Sequence, residues 1–349
     1  MSPKDIVRGI NTITQKQMLP IVPKRWVEQF DFGIKAYSLR PFQSAGSNAR
    51  SVVANADTAA TKTDRLLANA KLAEHLGVVF DGLKLVRPGS FVNIDHSDMN
   101  RLTALVAAVQ TRRGRAIPCL VETTYSDRLP GEGSARSTPR SNMLRRARTE
   151  VRKAQSFTGH YIDALQDFRD RLGFWPKLVF DRGFGNESLV THLQAEGAIF
   201  YIRLKAGRYV EFDGQKTEIK HLKDNDATVR LFGLRLRVVR SSKSRRAKEP
   251  WYILTNDFTS SRNKVIKIYY HRFEIEETFK DIKHIWEFKR TMLNKPNSLK
   301  IILWFICLGI ALIYLTTKST KQNIKKQASW IRQGLEQLNQ ALTQLIWDS

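Results

Sequence analysis

Three acidic residues occupy positions from which a carboxylate could take part in catalysis. Asp95 and Asp181 each end a short run with the pattern of a β-strand, and Glu276 lies in a stretch with helical periodicity. Two strand-terminal aspartates and a helical glutamate can converge on hard divalent cations, which prefer oxygen ligands. Two such ions about 3.5–4 Å apart stabilise the attacking and leaving oxygens of in-line displacement at a phosphate. The carboxylates therefore predict metal-dependent phosphoryl transfer.

Polar side chains recur around Glu276 at helical spacing. One helix is predicted from about 263 to 286, and a rotation of roughly 100° per residue places four of its side chains within about 60° of each other: Tyr269, Arg272, Glu276 and Lys283. An apolar stripe beside them suits core packing. The plainer interpretation is a mixed-charge helix boundary, with Arg272 and Glu276 paired at i,i+4 for about 0.2–0.5 kcal/mol. The position of the polar stripe beside the apolar one favours the interpretation that these four side chains line the edge of a cleft.

Other residues near the first aspartate compete for its role. The strand over 90–95 is predicted to end at Asp95, so that Asp98 lies beyond it; Asp95 is the better candidate for that reason. His96 could be a metal ligand, although a loop histidine without that role is the more ordinary interpretation. Glu277 lies about 100° around the helix from Glu276 and off the polar stripe.

Strand and helix patterns alternate along the rest of the chain. Residues 1–85 read as helical and basic. Further strands are predicted at 116–122, where Pro118 disfavours a central position, and at 177–181, 198–204, 209–212, 229–239 and 251–255. Arg235 and Arg237 alternate with apolar residues, which predicts a basic strand face. A helix from about 143 to 172 opens with an arginine-rich run that is either a solvated face or a phosphate track, and Asn186 is predicted to cap a helix ending at Gly197.

The charge balance points to a polyanionic partner. Lys and Arg number 58 against 33 acidic residues in 349, a formal net charge of +25. Such an excess is typical of nucleic-acid-binding proteins, and an anionic membrane surface is the main rival. The apolar run 301–315 is shorter than the roughly 20 residues of a spanning helix, so a buried core helix is expected. Cys119 and Cys307 lack metal-ligand spacing and are expected to be reduced core residues of a cytoplasmic, nucleoid-associated protein.

The string Tyr269-x2-Arg272-x3-Glu276-x6-Lys283 resembles the Y-R-E-K signature of the DDE transposases of the insertion-sequence-four superfamily. FDRGFG at 180–185 resembles the second-aspartate block of that family, and VNID at 92–95 resembles its first-aspartate strand. The resemblance extends from about residue 91 to 315. It implies a ribonuclease-H-like α/β core: a mixed sheet flanked by helices, with a β-rich insertion and an N-terminal helical domain.

The resemblance also implies roles for individual residues. Asp95, Asp181 and Glu276 would be catalytic metal ligands for two Mg²⁺ ions, with Mn²⁺ as a substitute. Tyr269, Arg272, Lys283 and Arg182 would contact DNA at the transposon end. Trp251 resembles a tryptophan that stacks on a base flipped from the DNA, although a strand tryptophan is more often a packing residue. The partners implied are transposon-end and target DNA, with a dimer in the synaptic complex and no membrane.

These expectations divide the chain into five segments. Residues 1–85 form an N-terminal helical domain that either binds DNA ends or caps the core. The catalytic core comprises 86–205 and 256–318, the β-rich insertion is 206–255, and 319–349 is a helical tail that either mediates a dimer contact or docks on its own core. The predicted function is cut-and-paste DNA transposition. A catalytically inactive DNA-binding relative and a membrane-associated basic protein using 301–315 are the alternatives.

Overall fold

The computed structural model describes residues 3–38, 44–53, 55–99, 102–125, 157–242, 249–288, 293–318, 331 and 334–335. The arginine-rich start of the helix predicted from 143, the loop at 128–142 and most of the C-terminal tail lie outside these ranges. The chain forms two compact units. The first contains 1–86, 96–127 and 273–349, and the second contains 87–95 and 128–272. In this division residues 1–86 belong to the same unit as the C-terminal helices. The five predicted segments stay a prediction.

The first unit is mainly helical, as predicted for residues 1–85. Its N-terminal helices are α1 (Pro3–Ile13), α2 (Val27–Gly33), α3 (Ala45–Arg50), α4 (Ala56–Ala68) and α5 (Ala70–Asp81). Asparagine and serine side chains cap three of them, since Ser44, Asn55 and Asn69 each accept a hydrogen bond from a first-turn backbone N–H. The C-terminal helices are α9 (Phe273–His284) and α10 (Pro296–Lys318).

The strands of the first unit follow the order β3-β2-β1. They are the second half of β1 (Phe91–Met99), β2 (Leu102–Val109) and β3 (Ile117–Tyr125). The prediction that β1 ends at Asp95 is wrong, because the strand continues to Met99. Pro118 lies on β3, an edge strand of the sheet, opposite an irregularity in the register between Ala107 and Ala108. The prediction that it avoids a regular central position is confirmed.

Helix α10 is the apolar element of the first unit. The segment Pro296–Thr316 is the one stretch in the described part of the chain that is long and apolar enough to cross a membrane. Of its most apolar window, 89% is buried within the protein, which favours the core-helix interpretation. Both cysteines are buried and neither forms a disulfide, as predicted. In the tail, Ile331 and Leu335 are buried and Gly334 lies against Ile313 of α10, so these described tail residues dock on their own core.

The second unit is built on a mixed sheet in the order β1-β4-β5-β10-β9-β8-β6-β7. Its strands after β1 are β4 (Lys177–Phe180), β5 (Phe200–Leu204), β6 (Tyr209–Phe212), β7 (Gln215–Glu218), β8 (Asp226–Leu231), β9 (Leu234–Arg240) and β10 (Tyr252–Thr255). Its helices are α6 (Phe157–Leu172), α7 (Glu187–Ala195) and α8 (Arg262–Tyr270). Strands β1, β4 and β5 are parallel and the others are antiparallel. The predicted mixed α/β fold class is confirmed.

Local signals explain several of these elements. Asn186 accepts a hydrogen bond from the Leu189 N–H at 3.0 Å and so caps α7, as predicted. The run 229–239 is not one strand but a hairpin, because Phe232 and Gly233 both have positive φ values, 55° and 73°. Two consecutive positive φ values define the two-residue turn whose twist suits adjacent antiparallel strands.

Candidate active site

Asp95 and Asp181 lie side by side on neighbouring parallel strands of the second unit. Strands β1 and β4 pair in register up to Ile94 and Phe180, and each aspartate directly follows one of these residues. Because neighbouring strands are about 4.8 Å apart, the two carboxylates leave the sheet next to each other. Both side chains are partly accessible, with Asp95 16% exposed. The sheet therefore juxtaposes two hard oxygen donors, the ligand type that suits a divalent cation.

A tyrosine and an arginine contact these aspartates. The Tyr269 hydroxyl donates to Asp181 Oδ1 at 3.4 Å, and the Arg272 guanidinium lies 3.4 Å from Asp95 Oδ2. Arg272 is almost fully buried, with 4% of its side chain exposed, and its guanidinium carbon is 5.7 Å from the centre of the Tyr269 ring. Burial raises the pKa of Tyr269, so its hydroxyl stays protonated and able to donate. Two of the four stripe residues thus meet the two aspartates.

The stripe itself does not exist as one continuous helix, and the prediction of a single helix over 263–286 is wrong. Helix α8 ends at Tyr270 and α9 begins at Phe273, with His271 and Arg272 between them. At this break the Arg272 N–H bonds back to the Tyr269 carbonyl at 3.0 Å, which is a tighter turn than the α-helical ladder. The common rotation assumed for Tyr269 and Lys283 therefore does not apply across the break.

Glu276 and Lys283 both lie on α9, in the first unit. The turn between β2 and β3 binds one face of this helix through the side chains of Glu274, Thr278 and Asp281. Glu274 accepts from the Thr111 N–H at 2.9 Å, and Asp281 forms a 2.6 Å ion pair with Arg115. At roughly 100° per residue, Glu276 and Lys283 lie on the opposite face of α9. Both are partly exposed.

Residues 145–312 match the family model of the transposase DDE domain. No match is found among curated proteins. The stretch that resembles the transposase DDE domain contains Asp181, Glu276 and the other three residues of the predicted signature, and it begins after Asp95. The match supports a DDE transposase as the class of this protein, and the mixed α/β sheet with flanking helices is consistent with a ribonuclease-H-like DDE domain.

The three acidic residues of the predicted DDE set are divided between the two compact units. Among the described residues, no group of three or more His, Cys, Asp or Glu side chains is placed to hold a metal ion. Asp95 and Asp181 are in one compact unit, and Glu276 is in the other. The two aspartates and their chemistry fit part of a divalent-metal site, and the full set of three ligands stays a prediction.

Two other predicted site residues, Arg182 and Trp251, and the rival aspartate Asp98 lie in different surroundings. Arg182 is exposed in a 3₁₀ turn directly after Asp181. Trp251 is only 9% exposed, and its ring packs edge-on against Tyr269 with ring centres 5.4 Å apart, so it serves as a packing residue in this structure. Asp98 is inside β1 rather than beyond its end, and it accepts a 2.7 Å hydrogen bond from Thr103. The expectation that Asp98 lies past the end of the strand, on which Asp95 was preferred, is therefore wrong.

Sequence reasoning missed two features of the second unit. Arg203, on β5, is close enough to Tyr269 to lower the pKa of its hydroxyl, against the effect of burial. Arg237, predicted to lie on a basic strand face, is buried and bonded to the Asp226 carboxylate and to the backbone carbonyls of Asp257 and Ser260. The sequence shows Arg203 among the apolar residues of a predicted strand, and this polar exception could have marked it as a candidate. That Arg203 lies near Tyr269 could be known only from the fold.

Proposed function

We propose that this protein is a DNA transposase of the insertion-sequence-four superfamily that cleaves the ends of its element and joins them to target DNA. The observation that carries the proposal is the pair Asp95 and Asp181, which directly follow the parallel pairing of β1 with β4 and are contacted by the tyrosine and arginine of the Y-R-E-K string. The match of 145–312 to the transposase DDE domain supports the same class. The net charge of +25 suits a polyanionic substrate.

In this proposal Asp95, Asp181 and Glu276 hold divalent metal, with Glu276 assigned by the sequence motif alone. Mg²⁺, or Mn²⁺ in its place, would supply charge stabilisation for the attacking and leaving oxygens of a phosphodiester, as two ions do in other phosphoryl-transfer sites. The carboxylates need no covalent bond to the DNA. Water attacks the phosphodiester at the element end and releases a 3′-hydroxyl, which attacks the opposite strand, forms a hairpin end and frees the flanking DNA. A second water opens the hairpin, and the regenerated 3′-hydroxyl attacks the target. Each step is an in-line displacement in a cut-and-paste sequence.

The basic and aromatic residues hold the DNA in this scheme. Arg182 is exposed and Lys283 is partly exposed, so both can contact backbone phosphates. Arg272 and Tyr269 are buried beside the aspartates and would contact a phosphate only after their side chains move. Such contacts fix the position of the scissile bond, which is worth a large part of the rate acceleration in this type of reaction. Stacking of Trp251 on a flipped base would require it to leave Tyr269 first. Synapsis of two ends implies a dimer on DNA, in the cytoplasm and at the nucleoid.

The test measures strand cleavage of DNA that carries the inverted repeats flanking the coding sequence. Asp95→Asn, Asp181→Asn and Glu276→Gln should each lower the Mg²⁺-dependent cleavage rate by at least about 100-fold, while DNA binding persists. Asp224→Asn, at an exposed aspartate of the second unit, is the matched control and should cleave normally. Asp98→Asn tests the rival first aspartate. Full activity of Asp181→Asn would contradict the assignment.

A change of ligand chemistry tests metal coordination directly. Asp181→Cys should be inactive with Mg²⁺, which avoids sulfur, and should regain cleavage with Mn²⁺, which accepts a softer ligand. Equal failure with both metals in a folded Asp181→Cys protein would argue against a ligand role. Salt-sensitive DNA binding by a wild-type protein that cleaves nothing under any metal would instead identify a catalytically inactive relative.

A further inference from the structure

Asn93 is a fully buried polar residue on the strand that carries Asp95. Its relative exposure is 0%, and its side-chain amide donates to the backbone carbonyl of His271 at 3.1 Å. Because side chains two residues apart point to the same face of a strand, Asn93 and Asp95 lie on one face of β1. That face therefore offers the segment after α8 a hydrogen-bond donor and a carboxylate.

The two side chains bind consecutive residues of that segment. His271 is the C-cap residue of α8, where carbonyl groups no longer have partners in the helical ladder. Asn93 binds the His271 carbonyl, and Asp95 binds the side chain of the next residue, Arg272. Tyr269, which contacts Asp181, precedes this pair by two residues.

The contacts made by Asn93, Asp95 and Asp181 differ in length, and the contact of Asn93 is the shortest. The contacts of Asp95 with Arg272 and of Asp181 with Tyr269 are both 3.4 Å, at the long end of hydrogen-bond geometry. The Asn93 contact is 3.1 Å and is made to the backbone, which has fewer degrees of freedom than a long side chain. Asn93 therefore holds this segment by its backbone, at the His271 carbonyl.

We propose that Asn93 is a positioning residue that holds the 269–272 segment at His271 so that the next residue, Arg272, reaches Asp95. This role rests on the proposed function, because it gives Asn93 an effect on DNA cleavage that it exerts through Arg272. Asn93 itself contacts neither DNA nor metal in this proposal. Because Asn93 and Asp95 share one face of β1, Asn93 can affect the geometry of the site without belonging to it.

The first experiment compares Asn93→Leu, which keeps the size of the side chain and removes the donor, with Asn256→Leu. Asn256 is the control, because its amide also donates to a backbone carbonyl of the same unit, that of Ala198 at 2.8 Å. Its side chain also bonds to Gln194 and to the Phe200 N–H, so Asn256→Leu removes these hydrogen bonds as well. At saturating Mg²⁺ and DNA, Asn93→Leu should cleave at least about 10-fold more slowly than Asn256→Leu, with a DNA Kd within about 3-fold of the wild type. Equal cleavage by the two variants would overturn the proposal. If Asn93→Leu does not fold, Asn93→Asp makes the same comparison with Asn256→Asp.

The second experiment is a double-mutant cycle with Arg272→Met. If Asn93 acts through Arg272, then adding Asn93→Leu to Arg272→Met should lower cleavage by less than about 2-fold further, because the two changes remove one function. Independent, multiplicative losses would show that Asn93 does not act through Arg272 and would overturn the proposal.

The third experiment does not depend on catalysis and so separates the two proposals. Amide hydrogen exchange over 267–273 should become at least about 10-fold faster in Asn93→Leu, and it should be unchanged in Asn256→Leu. A wild-type protein without cleavage activity would contradict the proposed function, and the exchange result would still test the positioning role of Asn93. Unchanged exchange in Asn93→Leu would overturn the positioning role even in an active transposase.

Discussion

At the scale of single residues, a buried polar cluster in the second unit stabilises the loop before α8. Asp257 is 3% exposed and accepts hydrogen bonds from the Tyr201 hydroxyl at 2.6 Å and from the Thr259 and Ser260 N–H groups at 2.9 and 3.0 Å. The Arg237 side chain binds the backbone carbonyl of the same aspartate. Because this loop ends at Ser261, the N-cap of α8, the cluster supports the helix that carries Tyr269.

The cluster gives stability a specific pH dependence. Burial alone would raise the pKa of Asp257, but hydrogen bonds from Ser260, Tyr201 and Thr259 together hold it well below its usual value. A lowered pKa means that the stabilisation is present above the ordinary aspartate pKa of about 3.9 and is lost as the pH falls below it. Asp257→Asn should therefore cost about 1–3 kcal/mol at pH 7, with a difference from wild type that shrinks below about pH 4.

The measurement is the free energy of unfolding in urea at a series of pH values from 7 to 3. Asp224→Asn, at an exposed aspartate of the same unit, is the control and should follow the wild-type curve. A difference between Asp257→Asn and wild type that stays constant over this range would contradict the prediction.

At the scale of elements, α10 is held by a close backbone approach within the first unit. A Cβ atom added at Gly309 would lie 2.0 Å from the carbonyl oxygen of Ser38, at the end of the π-helical segment Ile34–Ser38. Backbone atoms cannot yield as a flexible side chain can, so the helix and this segment pack closely only because residue 309 has no side chain. The sequence pattern of α10 shows an apolar helix but not this contact.

Two glycine substitutions should therefore have effects of opposite sign. Gly309→Ala should lower the free energy of unfolding by about 1–3 kcal/mol, because a well-packed core cannot accept the added methyl group without displacement. Gly46→Ala, in α3, should raise it by about 0.5–1 kcal/mol, because nothing lies within 4 Å of the added Cβ and alanine is the better helix former. Thermal and urea denaturation of both variants measure this. Destabilisation of similar size in both would contradict the packing argument.

At the scale of the whole molecule, the excess of positive charge is the dominant property. The net charge is +25, so the basic side chains repel one another in the free protein, and a bound polyanion reduces that repulsion. The proposed DNA partner therefore predicts binding that is driven largely by release of counterions from DNA. This property belongs to no single residue.

DNA affinity should fall steeply and linearly on a logarithmic scale as the salt concentration rises. If about six phosphates are neutralised, the slope of log K against log[salt] should be roughly −5, and affinity should fall about 10³-fold between 50 and 200 mM salt. Fluorescence anisotropy with labelled duplex DNA measures the slope, with Asp181→Asn as a variant that should keep it. Affinity independent of salt would contradict a phosphate-based interface.

The sequence by itself determined much of the local structure and the main candidates for chemistry. Alternation, capping and apolar content act over a few residues, so features that depend on them can be predicted from the sequence. These features are the strand before Asp181, the cap at Asn186, the buried helix 301–315 and the reduced cysteines. The carboxylates Asp95 and Asp181 were identified in this way, and the parallel pairing of their strands agrees with that identification.

The tertiary structure alone decided which of these residues meet. The break at His271 and Arg272 contains neither glycine nor proline, and Asn93, some 180 positions earlier, binds the carbonyl at that point. Strand β2 is buried at every position, so its apolar run has no period to distinguish strand from helix. Arg237 became a core residue because Asp226 faces it across a hairpin. Each outcome depends on a partner distant in sequence or on the pairing of strands, and no local pattern encodes either.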